Sequence, residues 1–227
     1  MNKLIACVAV ILAMLFTTQA ANADVQLTGT VGARTIDDNV VIPRDKSATL
    51  NGTIINGNVR VLRGAKLITN GARIGGNVQA FRSLLVDLRQ QTQVNGDVQG
   101  ERTRAIRLRG GSFVGGNVQL VEAFAPIDVD ALLVHLAQVD GNVQAEKSAG
   151  RLRVLASTIG GSVQFVENYS GPYAIRNNKI DGDLQFFKNR GTGIITGNTV
   201  GGNLQSKENQ PRPTIRNNTV EGSTEIE

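Results

Sequence analysis

Along most of the chain, apolar and polar residues alternate in short bursts that recur at a fixed interval. The recurring unit reads [I/V]-x-G-[N/D/S]-[V/L]-Q. Its central glycines are Gly57, Gly76, Gly96, Gly116, Gly141, Gly161, Gly182, Gly202 and Gly222, with successive spacings of 19, 20, 20, 25, 20, 21, 20 and 20. Two residues before each glycine stands a β-branched side chain, from Ile55 to Val220. Two after it stands Val59, Val78, Val98, Val118, Val143, Val163, Leu184 or Leu204, and four after it mostly another apolar residue, from Val61 to Phe186. The residue between those two positions is polar. Alternation with period two puts the apolar pair on one face of a short strand.

A fixed period near 20 is the mark of a repeat architecture. Glycine punctuation and β-branched residues exclude a helix in each unit, and the leucine-dense pattern of a leucine-rich repeat is absent. The pattern predicts an all-β chain: a single-stranded right-handed parallel β-helix, or β-solenoid, of about nine coils of about 20 residues each. The hand follows the rule for parallel crossovers. Coils stacked at strand spacing would make a rod roughly 40 Å long. The glycine column is expected to make sharp corners with positive φ. The Asn, Asp and Ser residues after it, and two further columns (Asn168, Asn189, Asn209; Asn178, Asn198, Asn218), are expected to cap turns and hydrogen-bond from coil to coil.

The ends break the pattern. Residues 24–50 lack the motif and are expected to form a cap and an irregular first coil, leaving 51–227 as the β-helix proper. In the last coil Thr224 replaces the apolar residue and the chain ends Glu225-Ile226-Glu227, charge that would discourage end-to-end stacking. The 25-residue interval implies a bulged loop near Phe124-Ala125-Pro126. The third strand leaves its register open. Apolar residues fall eight before the next glycine in early coils (Leu88, Leu108, Leu133) and seven before it in late ones (Val154, Ile175, Ile195, Ile215).

Residues 1–23 follow a different logic. Lys3, the apolar run Leu4 to Phe16 and the Ala21-Asn22-Ala23 site form a signal-peptide pattern, with a mature chain starting at Asp24 and an extracellular or periplasmic destination. The run is short for a transmembrane span. Cleavage would remove Cys7 and both methionines, leaving no disulfide or thiol chemistry.

The stretch Asp38-Asn39-Val40-Val41-Ile42-Pro43, then Leu50-Asn51-Gly52-Thr53, then repeated G-N-V-Q, resembles small exported bacterial proteins with right-handed parallel β-helix repeats. The resemblance covers nearly all of the chain after Ala23. It implies the fold but no functional residues, because the function of most members is not established. Some relatives carry Cys near the C-terminal G-N-L-Q, where this chain has Ser206. Bactofilin-like cytoskeletal polymers also use short β-helical coils, but they are cytosolic, against the signal-peptide pattern.

Candidate chemistry is sparse. Of the 227 residues only 4% are aromatic, which argues against stacking platforms for sugars or single-stranded nucleic acid. The net charge of +5 is mild and lacks the dense cluster of a nucleic-acid binder, so no nucleic-acid partner is expected. Outward from the first strand run Gln79, Gln99, Gln119, Gln144, Gln164, Gln185 and Gln205. They are either a self-satisfying amide ladder or a docking strip for a repetitive ligand or another protomer. Arginines gather at Arg89, Arg102, Arg104, Arg107, Arg109, Arg151 and Arg153. The alternation in Arg107-Leu108-Arg109 and Arg151-Leu152-Arg153 puts both pairs outside, either as a solvated face or as a patch for anions, which Arg binds through its planar fork. Glu122, Glu146 and Glu167 are candidates to stack on adjacent coils, where they could hold Ca²⁺ or supply an acid and a base. His135 has no triad or metal partner at any useful spacing, and no cofactor, metal or catalytic residue is assigned.

These features favour a non-enzymatic exported scaffold or adhesive, matrix-binding protein. It would present Gln and Arg columns to an acidic polysaccharide or a cell-envelope surface, or to copies of itself. The alternative is a polysaccharide-cleaving lyase or hydrolase of the parallel β-helix type, an argument from fold alone. An ice-binding face would need a regular Thr array, which the column Arg73, Gln93, Phe113, Gln138, Thr158, Lys179, Thr199, Thr219 does not provide.

Overall fold

The computed structural model describes residues 24–227, and the apolar run and cleavage site lie outside the described residues. Every strand in it is parallel to its neighbours. The chain winds through three sheets in strict rotation, one of 11 strands and two of 10, to give a β-solenoid of about ten turns. The first sheet holds the strands that follow the glycine column, such as Val78–Phe81 and Val98–Glu101. The second holds strands such as Leu85–Arg89, Ile106–Arg109 and Arg151–Leu155. The third is built of two-residue strands such as Gln93–Val94. No described helix is long and apolar enough to cross a membrane.

The apolar columns face the interior. Val59, Val78, Val98, Val118, Val143 and Val163 have no solvent exposure. Each such side chain contributes about 1.5–3 kcal/mol by leaving water. Near the C-terminal third the interior is filled by the rings of Phe165, Tyr173 and Phe186, with centroids 5.8–6.5 Å apart. The Tyr173 hydroxyl accepts from the Gly171 amide at 3.0 Å and donates to the Arg190 carbonyl at 2.9 Å. Burial pushes its pKa up to about 12.

Residues 24–50, expected to be irregular, already wind in register with the rest: Val25 pairs with Val40, Thr35 with Ile54 and Val40 with Val59. The solenoid therefore begins before the first glycine motif.

The glycine column has a different cause from the one expected. Positive φ occurs at the other two corners, at Arg82, Arg102, Glu122, Lys147, Glu167 and Lys188, and at Gly52, Gly71, Leu136 and Ala156, but at none of the motif glycines. What excludes a side chain there is the coil below. A Cβ on Gly141 would lie 2.7 Å from both Asn117 Oδ1 and the Gly116 carbonyl oxygen. That Asn117 oxygen already accepts from the Asn142 amide at 2.9 Å. The same bond climbs unbroken from Asn39 to Ser223, each side-chain oxygen accepting the backbone N–H of the next coil. In the first described coil Asp38 holds the glycine's place.

The two other Asn columns are interior ladders. Asn189 is fully buried. Its Oδ1 accepts from the Asn168 amide at 3.1 Å, and its Nδ2 donates to the Phe165 carbonyl at 2.8 Å and to Asn209 Oδ1 at 3.1 Å. Asn178, Asn198 and Asn218 repeat the arrangement at the next corner. Fully paired amides can occupy a closed interior where a lone one could not.

The long interval resolves into two adjustments. Glu101–Ile106 of one coil is matched by Val121–Leu132 of the next, with a bulge between Asp130 and Leu132. At the following corner Gly110-Gly111, both with positive φ, give way to Leu136 alone. Val134, not Leu133, therefore continues the interior column from Leu108 to Val154, and Leu133 lies between Arg107 and Arg153.

Candidate functional site

The glutamine column is in register from Gln79 to Gln205 along the outside of the first sheet. Its chemistry splits along the rod. Gln144 Nε2 donates to Gln164 Oε1 at 2.6 Å, Gln164 to Gln185 at 2.8 Å, Gln185 to Gln205 at 3.1 Å, and Gln205 to the Glu225 carboxylate at 3.1 Å. Those amides satisfy one another and have little left for a ligand. Gln79, Gln99 and Gln119 make no such coil-to-coil bond; Gln99 reaches Asp97 at 3.4 Å. Beside the glutamines runs a second outward column that mixes Phe81, Glu101, Val121, Glu146, Val166, Phe187 and Lys207.

The arginines on the second sheet have counterions that the alternation Arg-Leu-Arg does not reveal. Asp87 is buried beneath Arg89 and Arg109. Arg109 grips it through two bonds, Nε to Oδ1 at 3.0 Å and Nη2 to Oδ2 at 2.6 Å, and Arg89 adds a third at 2.5 Å. Burial opposes ionisation of Asp87, but the hydrogen bonds and charges of Arg109 and Arg89 outweigh it and hold the carboxyl below its ordinary value. The same carboxylate raises the pKa of Arg109. Two turns along, Arg153 holds Asp130 with bonds of 2.7 and 2.5 Å, and Arg151 lies 3.4 Å from it. Arg151 also donates to the Asp128 carbonyl.

Of the four arginines singled out from the pattern, Arg109, Arg151 and Arg153 are thus tied to carboxylates. Arg107 makes no ion pair or side-chain hydrogen bond among the described residues, and its Nε is buried without a partner. Asp87 was legible in principle: it stands in the outward parity of Leu85-Val86-Asp87-Leu88-Arg89. Its pairing with Arg109, however, joins two coils and needs their register. Arg102 and Arg104 are not on this sheet but at the corner between the first and second sheets, where Arg102 bonds Glu122 at 2.7 Å.

The expected acidic stack does not form. Glu122 and Glu167 occupy equivalent corner positions, both with φ near +50°, but Lys147 stands between them. Glu146 lies one residue earlier, in register with Val121 and Val166. Lys147 bonds Glu146 at 2.7 Å and lies 3.9 Å from Glu167. Among the described residues no three His, Cys, Asp or Glu side chains gather as a metal site would require. His135 is half-buried on the second sheet, in register with Arg109 and Leu155.

What this surface offers chemically is a set of guanidinium donors, a group whose planar fork suits carboxylates and phosphates. Asp87 and Asp130 hold Arg89, Arg109, Arg151 and Arg153 in fixed orientations, and Arg153 borders a depression in the second sheet that Leu155, Arg176 and Ile194 help to line. Comparisons with protein-family models, with curated proteins and with solved structures found no match for this chain.

Proposed function

We propose that the protein is a non-enzymatic solenoid scaffold, exported from a bacterial cell, that binds an acidic polymer of a matrix or cell surface. The binding face is the outer side of the second sheet. One observation carries the reading: among the described residues Arg89, Arg107, Arg109, Arg151 and Arg153 stand over two aspartates, Asp87 and Asp130, and Arg107 pairs with neither. The face keeps a positive balance, and its guanidinium groups are pre-oriented by buried counterions. Preorganised donors lose less on binding than free side chains do. The signal-peptide pattern and the resemblance to exported β-helix repeat proteins support the location.

The test is binding of the purified chain to alginate and polygalacturonate against neutral dextran, at low and high salt. Acidic polymers should be retained and released as salt rises, because exposed charges are screened beyond about 8–10 Å. Arg107→Gln should weaken retention. Failure to bind either acidic polymer would overturn the reading. Release of new chain ends in the same tubes would replace it with an enzymatic one.

A further inference from the structure

Among the described residues eight large apolar side chains are exposed, and four of them, Leu84, Phe124, Ile127 and Tyr169, stand at or beside the corner between the first and second sheets. Stacking offsets and bridges align Leu84, Arg104, Phe124, Ala149, Tyr169 and Arg190 in one column parallel to the rod axis. Phe124 is 77% exposed and Tyr169 41%, while Ala149 between them is 7% exposed. The column thus presents two aromatic rings, two coils or about 10 Å apart, with a small seat between them. Arg104 and Arg190 stand one coil outside each ring, about 19 Å from one another. Both are exposed, and among the described residues neither makes an ion pair. Of the neighbouring corner charges, Glu122 bonds Arg102 and Glu146 bonds Lys147, Arg82 stacks over Phe81, and Glu101 and Lys188 make no ion pair among the described residues.

Exposed apolar rings on a rigid edge mark a recognition surface. Along this corner the apolar platforms stand inside and the two arginines stand at the ends. We infer that this corner is the seat of an extended acidic polysaccharide. Apolar sugar faces lie on Phe124 and Tyr169, and carboxylates of the same chain meet Arg104 and Arg190. A flat aromatic face suits the C–H side of a sugar ring, and the guanidinium fork suits a carboxylate. The inference rests on the acidic-polymer reading above and adds a second, stacking contact to it. It runs against the expectation drawn from the scarcity of aromatics, since two of the few stand exposed on this corner.

The test uses the full chain, with alginate and polygalacturonate as acidic probes and hydroxyethyl cellulose as the neutral one. Phe124→Ala and Tyr169→Ala should each weaken binding of an acidic probe about fivefold. The double variant should weaken it tenfold or more, with the salt dependence unchanged. The double variant Arg104→Gln/Arg190→Gln should weaken binding and flatten its salt dependence. Circular dichroism checks that the variants keep the fold, which is expected at positions this exposed. If the wild-type chain binds neither acidic probe, this inference and the reading above fall together. If it binds and Arg107→Gln weakens binding while Phe124→Ala/Tyr169→Ala leaves it intact, the corner seat alone is overturned. Loss of self-association in sedimentation without loss of polysaccharide binding would overturn it too, in favour of a protein contact.

Discussion

Gly141→Ala asks directly why the glycine column exists. The added methyl would sit 2.7 Å from Asn117 Oδ1 and 2.7 Å from the Gly116 carbonyl oxygen, where ordinary contacts begin beyond 3.4 Å. The side-chain oxygen can rotate away only by releasing the Asn142 amide that it accepts at 2.9 Å. The carbonyl belongs to a coil held by its own ladder and cannot retreat alone. Overpacking costs about 1–3 kcal/mol. The lost hydrogen bond adds about 1 kcal/mol. Gly141→Ala should therefore destabilise by about 2–4 kcal/mol. Gly32→Ala is the control: no atom lies within 4 Å of its Cβ position and its φ is not left-handed. It should change stability by about 0.5 kcal/mol or less, with any gain coming from the unfolded chain. Urea unfolding followed by far-ultraviolet circular dichroism reads both. Each coil contacts only its neighbours, so hydrogen exchange should show the damage first at the Asn142 amide. A Gly141→Ala chain with wild-type stability and a protected Asn142 amide would refute the steric reasoning and return the column to a backbone-conformation origin.

Asn189→Ala leaves the Asn168 amide buried without a partner and takes one of its two donors from the Phe165 carbonyl, and should cost about 1–3 kcal/mol in urea unfolding. Asp87 titrates below its ordinary value of 3.8, so its contribution is fully present above that pH and is lost as pH falls through the depressed value. The gap in urea midpoint between wild type and Asp87→Asn should be wide at pH 6 and narrow at pH 2.5. Tyr173 behaves oppositely in sign. With its pKa raised from 10.0 to about 12, its contribution is complete below pH 10 and declines as pH rises through about 12. An absorbance titration of the phenolates should show one tyrosine ionising late, and Tyr173→Phe should remove that step.

Some of this was legible from one coil taken alone. The inward columns from Val59 to Leu204 follow from period-two alternation, because any closed coil of about 20 residues must put its apolar side chains inside. The outward glutamines follow from the same parity, as does the third-sheet column from Arg73 to Thr219. Features that join two coils were not legible. The φ of the motif glycines is ordinary, and the need for glycine arises from an asparagine and a carbonyl about 20 residues away. Glu122, Glu146 and Glu167 look equivalent by spacing, but the corner inserts Lys147 between them. Leu133 and Val134 exchange roles because the length change is divided between a loop and a corner.

The sequence by itself determined the period, the parallel coil and which side of each strand is buried, since these depend on local alternation and on the free energy of removing apolar surface from water. Only the tertiary structure decided what each outward side chain meets. That depends on register between coils, and register is the sum of every insertion and corner along the way. So Arg109 and Arg153 were visible as exposed charges, while Asp87 and Asp130 beneath them were not visible as their partners. Phe124 and Tyr169, 45 positions apart in the chain, became neighbours two coils apart on one edge only when the solenoid was wound.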